Sequence, residues 1–563
     1  MTDHRIVLLT IIPLVAGLIS IALINRKVLS RLVGVLSYTT MLGLALSLVF
    51  KITHAPERES VLVSQMGDWT APFGISIVFD SLSGLLICAA SAVGLGAYIH
   101  SFSVLDPRTE RRYYHPLMQL LMFGVNLSFL TGDLFNLFVA FEIMLMASYA
   151  LLVIGTGVKQ LRQAYKYILL NILASTIFLM SAGMVYGMFG TLNIADLARI
   201  IAEIEADPTR SLPAGFQALA VLFLLVFGLK GAFFPLWFWL PDTYYTIPIS
   251  IAGLFGGLLT KVGVYTVARL FPLIFASDGT TSLIGDQWVG GTSGVIKVLL
   301  IVAAAFTMFL AVLGAVSQHN VRKILSVHVI SQVGYMVFGI AVMSGHALAG
   351  CAFYMVQHMV VKCALFLCCG VMEKHAGTDD LDKLGGLLKR DWPLAVLFFI
   401  AAMSLVGLPP LSGFFGKMVI IKEGFGQGQW YLGVIGLVTG ALTLLSMLKI
   451  WSYGYWNPDQ APTVNKPAAV KASCRSAYAG IAMLVVFALF LGFGAESVYK
   501  VANRAGDQLE NPRTYITAVL GEEAYDRVEV ALEARSADPG ATTPAVPQVS
   551  LATDGVEEGA AGL

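Results

Sequence analysis

The chain has 563 residues, of which 57% are hydrophobic and 13% charged, and its formal net charge at pH 7 is +1. Apolar runs of the roughly 20 residues that a membrane crossing needs recur from about residue 5 to about residue 499, which excludes a soluble globular domain. Nothing in the near-balanced charge points to a nucleic-acid partner.

In chain order, fourteen spanning helices are predicted, near residues 5–25, 31–51, 76–101, 114–131, 134–156, 164–189, 214–234, 248–273, 294–317, 324–344, 348–371, 393–420, 430–453 and 476–499. These runs are long and continuous and lack the roughly ten-residue alternation of barrel strands, so the expected fold is an all-α polytopic membrane protein. The first run is too long for the apolar core of a cleavable leader and leads into a basic turn, as a retained first helix does. Residues 1–110 hold helices one to three, 111–275 helices four to eight, 276–455 helices nine to thirteen, and 456–500 helix fourteen. Residues 501–563 read as an extramembrane tail. Its end, ADPGATTPAVPQVSLATDGVEEGAAGL, is rich in Ala, Gly, Pro and Thr and predicts disorder, and GEEAYDRVEVALEAR predicts one short surface helix within 503–535.

Short loops rich in Lys and Arg stay in the cytoplasm. Arg26, Lys27 and Arg31 follow the first span; Arg108, Arg111 and Arg112 the third; Lys159, Arg162 and Lys166 the fifth; Arg322 and Lys323 the ninth. Lys374, Lys383, Lys389 and Arg390 follow the eleventh, and Lys466, Lys471 and Arg475 the thirteenth. This alternation places both termini on the outer side of the inner (cytoplasmic) membrane. The loop after the seventh span, LWFWLPDTYYTIP, should also be cytoplasmic and yet carries no base.

The six cysteines lie almost all within spans and match no zinc or iron–sulfur spacing, so they read as small core residues. Asp80 and Asp133 stand at span starts, where a carboxylate caps free N–H groups. Other charges lie deep inside spans, where each costs about 3 kcal/mol on insertion scales. They are Glu142, Lys230, Lys261, His328, His358, Lys362 and Lys417. Structural explanations exist for some of them. Glu142 and Lys230 would make one ion pair, His358 and Lys362 share a helix face four residues apart, and Lys417 would snorkel if its span ended early. Taken together, titratable groups spread over helices five, seven, eight, ten, eleven and twelve suit a proton relay. Lysine fits such a relay because its proton exchanges readily where water is scarce. A carboxylate beside it retains the proton, so separating Glu142 from Lys230 would pass the proton on.

Two of these spans should be interrupted. Lys230 lies five residues before Pro235, and Lys417 seven after Pro410, with Gly407, Gly413 and Gly416 alongside. Proline removes a backbone donor and clashes with the preceding turn, which is tolerated at membrane depth where protein or water satisfies the freed groups. Transporters mark their ion sites with paired broken helices in two repeats. The two breaks are five helices apart, so spans four to eight and nine to thirteen are expected to be five-helix repeats, inverted because the number is odd.

The segments TGDLFNLFVAFEIMLMASYALL, LKGAFFPLWFWLPDTYYTIP, FGGLLTKVGVY, KILSVHVISQVGYM and GLPPLSGFFGK resemble the antiporter-like family shared by Mrp cation/proton antiporters and the proton-pumping membrane subunits of respiratory complex I. The likeness runs from about residue 70 to 455. Within the family the chain looks most like the D-type branch of the Mrp antiporter subunits, because complex I relatives usually carry histidine at Trp237 and tyrosine or serine within SVHVISQ. The resemblance implies fourteen helices, two inverted five-helix repeats, broken helices seven and twelve, and a hydrated polar axis in mid-membrane. It also implies that Glu142 and Lys230 form the family's ion pair, that Lys261 is a bridging lysine, that His328 and His358 are the central histidines, and that Lys417 is the terminal lysine. Asn320 departs from the aspartate of many relatives.

Sodium needs several oxygen ligands, whereas the buried charges here are mainly Lys and His. The expectation is therefore a proton-carrying subunit, with no cofactor and no metal of its own. It would act with other subunits of a hetero-oligomeric antiporter in the lipid bilayer, with Na+ or another monovalent cation crossing elsewhere in the assembly. The rival reading is a pump module of a complex I or membrane-bound hydrogenase assembly, in which redox chemistry reaches the chain only through partners. A passive scaffold would have no use for the internal ionisable groups.

Overall fold

Each long apolar run forms a helix, because in hydrocarbon the backbone N–H and C=O groups must bond within the segment. The structure, a computed structural model, describes residues 3–56, 59–155, 157–206, 210–275, 291–458, 470 and 473–526. The chain begins with α1 (Arg5–Ala22) and α2 (Lys27–His54), continues into a hairpin of β1 (Leu62–Gln65) and β2 (Ser76–Phe79), and enters α3 (Ser81–Val104). A short α4 (Pro107–Glu110) precedes α5 (Tyr114–Leu130), α6 (Leu134–Val153), α7 (Val158–Phe189) and α8 (Ile194–Ala206). The first interrupted span is α9 (Phe216–Gly231) with α10 (Leu240–Thr246), followed by α11 (Ile249–Leu270), α12 (Gly291–Ser317), α13 (Val321–Val342) and α14 (Gly345–Ala376). After α15 (Leu387–Arg390) comes the second interrupted span, α16 (Trp392–Val406) with α17 (Ser412–Gly426), then α18 (Trp430–Trp451) and α19 (Arg475–Phe493). Among the described residues, 11 helices are long and apolar enough to cross a membrane. The other predicted spans coincide with α5 and the two interrupted pairs.

Burial divides these helices into two classes. Along α11, α13 and α14 the apolar stretch is buried throughout, and along α3 nearly so. By contrast α1, α2, α7, α12 and α18 present an apolar outer face, with Leu36, Phe50, Leu173, Val298 and Leu437 exposed. A helix buried on every side lies in the interior, and one with a single buried stripe lies at the perimeter with its apolar outer face toward lipid. The four interior helices form the core, and three of them carry Lys261, His328, His358 and Lys362.

The third span is shorter than expected at its start. Ile77–Phe79 reads as the apolar start of a span, yet Ser76–Phe79 pairs antiparallel with β1, Leu62 opposite Phe79. Asp80 then ends the strand by capping α3, accepting from Ser83 N at 2.9 Å while Asp80 N donates to Ser83 Oγ at 2.8 Å. Asp133 caps α6 in the same manner, accepting from Asn136 N at 2.8 Å. Both cap expectations hold.

The C-terminal expectation needs correcting. The fourteenth span ends at Phe493, not 499, and the chain continues as α20 (Ala495–Glu510) and α21 (Arg513–Leu520), two helices where a tail and one surface helix were expected. Helix α20 buries Val498, Ala502, Ala505 and Leu509 against the ends of α3 and α14. Gly506 permits the approach, since a Cβ there would overlap the carbonyl oxygen of Gly345. Gln508 ties the segment to the body, accepting from Ser81 N at 3.2 Å and donating to Ser60 Oγ at 2.8 Å. The pattern is amphipathic but too polar to register as apolar sequence. Residues 527–563, including most of the expected surface helix, lie outside the described residues.

The opposite end gathers the basic loops. The base-free turn after the seventh span is served from elsewhere: Arg322 Nη1 donates to Ile247 O at 3.0 Å and Tyr245 O at 3.3 Å, and Lys323 Nζ sits 5.1 Å over the Tyr245 ring. Asn320 caps α13, accepting from Lys323 N at 3.2 Å, so the amide does the capping there. Glu110 joins α2 to α4 and α5 through Lys27 and Arg31, each at 2.7 Å, and His115 at 3.3 Å. Burial opposes its ionisation, but the contacts with His115, Arg31 and Lys27 outweigh it and hold the carboxyl at about 2.

Candidate functional site

The first interrupted span places Lys230 in the last turn of α9, one residue before the helix ends at Gly231. Its Nζ donates to Ser175 Oγ on α7 at 3.3 Å and lies 4.7 Å over the Phe141 ring. The break itself is satisfied by protein, as membrane depth demands: Trp239 Nε1 donates to Leu229 O at 3.1 Å, and Phe234 N to Thr307 Oγ1 at 2.9 Å. Glu142 is within electrostatic range of Lys230 but makes no ion pair with it. Its Oε1 has no hydrogen-bond partner, and the residue is half-buried on the stripe of α6 that also presents exposed Phe135 and Met146. The expected direct pair is thus replaced by a serine, a ring face and a separated carboxylate. Position along α6 and α9 explains this, because the lysine points inward while Glu142 lies toward the perimeter.

The second interrupted span uses its lysine differently. Lys417 lies on α17, after the break, and its Nζ reaches back to Leu405 O at 2.9 Å and Val406 O at 3.1 Å. These are end carbonyls of α16, which the helix cannot satisfy internally, and a cation is favoured there by the negative end of the helix dipole. The ammonium also lies 4.6 Å over the Tyr335 ring. Lys417 is buried, so it does not snorkel to an interface. A cavity of about 470 Å3 opens beside it, walled by Tyr335, Gly407, Phe414, Gly436 and Gly440.

Between the two breaks the interior helices assemble the remaining groups. Lys261, on α11, donates to Gly256 O at 2.6 Å and Thr260 Oγ1 at 3.1 Å and is within electrostatic range of Lys362 on α14. The Lys362 ammonium is fully buried with no hydrogen-bond partner, and neither ring nitrogen of His358 has one. On α13, His328 meets Ser331 Oγ through Nδ1 at 3.2 Å, and its Nε2 is unpartnered. His358 is within electrostatic range of Lys261, Lys362, Lys417 and His328. The seven predicted residues therefore fall into two groups: Glu142 with Lys230, and a cluster of Lys261, His328, His358, Lys362 and Lys417. The charge acting on Lys230 is Glu142. Gly263 lets α11 pack directly onto the backbone of Lys230 and Gly231.

Uncharged polar residues that sequence reading passed over extend the cluster. Gln332 Nε2 donates to Ser331 Oγ at 3.0 Å and Thr443 Oγ1 at 3.3 Å, and Tyr354 donates to Gln332 Oε1. Gln357 Nε2 donates to Ser404 O at 3.2 Å, and Ser404 and Ser412 hydroxyls lie 2.7 Å apart across the second break. Their burial between charged neighbours is the signal, and isolated Ser, Thr and Gln within an apolar run carry no such mark. One charge was also missed. Arg269, on α11, is buried and grips Asp80 at 2.5 and 2.8 Å, with Tyr265 and Tyr515 rings each 5.4 Å from the guanidinium carbon. Among the described residues no group of His, Cys, Asp and Glu has an arrangement that would hold a metal ion.

Comparison with known proteins bears on this arrangement. Residues 131–443, which contain all seven predicted groups, match the family model described as NADH:quinone oxidoreductase/Mrp antiporter, TM. The chain belongs to that family. The D-type subunit of the Na(+)/H(+) antiporter of Alkalihalophilus pseudofirmus is 40% identical over 92% of this chain and 100% of its own length. In fold, a chain from the structure of the Mrp complex from Dietzia sp. DQ12-45-1b superposes with a TM-score of 0.80 at 30% identity, covering 92% of this chain and 99% of its own. A chain of the membrane-bound sulfane sulfur reductase, an archaeal respiratory membrane complex, superposes with a TM-score of 0.81 at 23% identity over 92% of this chain and 100% of its own, a likeness of fold. Within the family, the interrupted spans and the buried lysines of this chain stand inside the matched region.

Proposed function

We propose that this chain is the proton-translocating subunit of a multisubunit Na+/H+ antiporter, a secondary transporter rather than an enzyme, embedded in the inner membrane with its basic loops in the cytoplasm and both termini outside. One observation carries the relay: five ionisable side chains from four helices converge inside the protein, and two of them, His358 and Lys362, are buried with side-chain nitrogens that nothing bonds. Such groups cost several kcal/mol unless water or a transferable proton satisfies them, and water between them would make a conducting file. The sequence likeness to a D-type Na(+)/H(+) antiporter subunit supports cation/proton exchange as the overall reaction.

In this reading Lys230 holds a proton while Glu142 is near and releases it when the carboxylate withdraws, and the central cluster passes it toward Lys417. A neighbouring subunit covers the stripe that bears Glu142. Sodium crosses outside this chain's own cluster, since protonated Lys and His repel cations and offer no oxygen cage. The two interrupted spans stand at matching places of two inverted five-helix repeats. The test is Lys230→Ala or Lys417→Ala in the assembled complex, with sodium-dependent proton movement followed in everted vesicles. Loss of exchange is expected, and retained exchange would overturn the relay; Glu142→Gln should also uncouple it.

A further inference from the structure

Among the buried titratable groups that the relay leaves unused is a histidine of the core. His100, on α3, is fully buried toward the basic end, and both ring nitrogens are engaged, Nδ1 with Ser250 Oγ at 2.8 Å and Nε2 with Leu367 O at 3.1 Å. A carbonyl can only accept, so Nε2 carries the hydrogen; in the neutral ring Nδ1 is then the acceptor of the Ser250 hydroxyl. The lone pair of the imidazole thus points at Ser250.

Ser250 lies in the wall of a cavity of about 570 Å3 formed where α3, α11, α13 and α14 end among the basic loops. Arg322, Glu373, Lys374 and Asp379 also line it, and Lys374 is within electrostatic range of the ring. Gly370, another wall residue, touches the imidazole from a second side: a Cβ there would stand 3.2 Å from His100 Cε1. His100 is therefore one side chain beneath a space roomy and polar enough to hold water. In the other direction Leu367 follows Lys362 on α14 by five residues, about 7.5 Å of helix rise, and the Lys362 ammonium is the buried group without a partner. The interval is packed, because Gly253 and Gly257 bring α11 against α14; a Cβ at Gly257 would stand 3.1 Å from Met359 O. A route closed at this point does not leak while the mouth stands open.

We propose that this cavity is the mouth through which the antiporter exchanges protons with the water at its basic end, and that His100 carries the proton between the cavity and Lys362. The inference rests on the relay reading and extends it to its aqueous end. A hydronium in the cavity becomes water as Ser250 Oγ accepts its proton and passes its own hydrogen to Nδ1. The resulting imidazolium releases the Nε2 proton, once the bond to Leu367 O opens and α11 and α14 part, to a water admitted between them, and that water hands a proton to the unprotonated Lys362 amine. One proton enters, one leaves, and the ring ends neutral in its other tautomer.

The experiment uses the whole assembled complex in everted vesicles, which expose the basic end. His100→Gln keeps hydrogen-bonding capacity without titrating, and it should assemble normally while exchange slows about a hundredfold. His100→Ala should slow equally and recover in proportion to imidazole added at that face. Thr378→Cys, at the cavity wall, should react with a membrane-impermeant thiol reagent from the basic end alone and lose exchange on reaction, since all six native cysteines are buried. Wild-type exchange in His100→Gln would overturn the proposal, as would a slow His100→Ala that imidazole fails to restore. If those occur while Lys417→Ala is inactive, the mouth is misassigned and the relay stands. Full exchange in Lys417→Ala removes the relay, and the proposal with it.

Discussion

Lys230 and Lys417 show how the same residue beside a helix break serves two arrangements. The first ends a helix and looks across to Ser175, whereas the second lies in the second turn of one and donates to the carbonyls of the helix before it. Lys417→Arg should therefore keep the carbonyl contacts yet hold its proton permanently. The complex should assemble as wild type and exchange should fall to background, while Lys417→Ala should lose both exchange and thermal stability in detergent. The buried Asp80–Arg269 pair offers a test of a different kind. Asp80→Asn leaves a guanidinium uncompensated, and a loss of about 3–5 kcal/mol is expected. Asp80→Asn combined with Arg269→Met should be less destabilised than the sum of the two single changes, as a double-mutant cycle on thermal unfolding would measure. Glu110 adds a pH dependence. Its carboxyl is held at about 2 in the folded chain, below the roughly 4.3 of a free glutamate. Its stabilisation is then fully present above the free value and is lost as pH falls toward 2. The stability gap between wild type and Glu110→Gln, clear at pH 7, should close over that window. All seven charges of the proposed relay were legible, because a charge in an apolar run is conspicuous. Arg269 escaped notice near the end of its run, with a partner 189 positions away, and so did Ser250 in the cavity wall, since a serine costs little in any helix.

Among the elements, the interior and perimeter helices were separable in principle from their patterns, but the strand at Ser76–Phe79 and the helix at Ala495–Glu510 were not. Three apolar residues before an aspartate read equally well as the start of a span, and pairing with β1 decides the matter. Helix α20 is stabilised by what it lies on. Gly506→Val should push it off α14, because the space a side chain needs is filled by backbone, and the expected result is faster proteolysis after residue 494 and a lower midpoint of thermal unfolding. Gly480, on α19, abuts the carbonyl oxygen of Gly96 on α3 in the same way. Gly480→Leu should destabilise the core by about 1–3 kcal/mol, the range seen for overpacking.

For the whole molecule, the alternation of basic loops predicts that reporters fused to either terminus face the outside and reporters in the Arg322 loop face the cytoplasm. Impermeant labelling of single cysteines at these places checks the topology. Hydrophobic run length, proline and glycine at the breaks, and isolated charges were enough to determine a polytopic helical membrane protein with interrupted seventh and twelfth spans, because the bilayer imposes length and backbone satisfaction on each segment separately. Which charges meet is another matter. The gathering of Lys261, His328, His358, Lys362 and Lys417 in one cluster, the separation of Glu142 from Lys230, and the placing of His100 under a cavity walled by helices distant in sequence were decided by tertiary packing. Those relations depend on how helices distant in sequence rotate and approach, at glycines such as Gly253, Gly257 and Gly263, and no local pattern encodes that rotation.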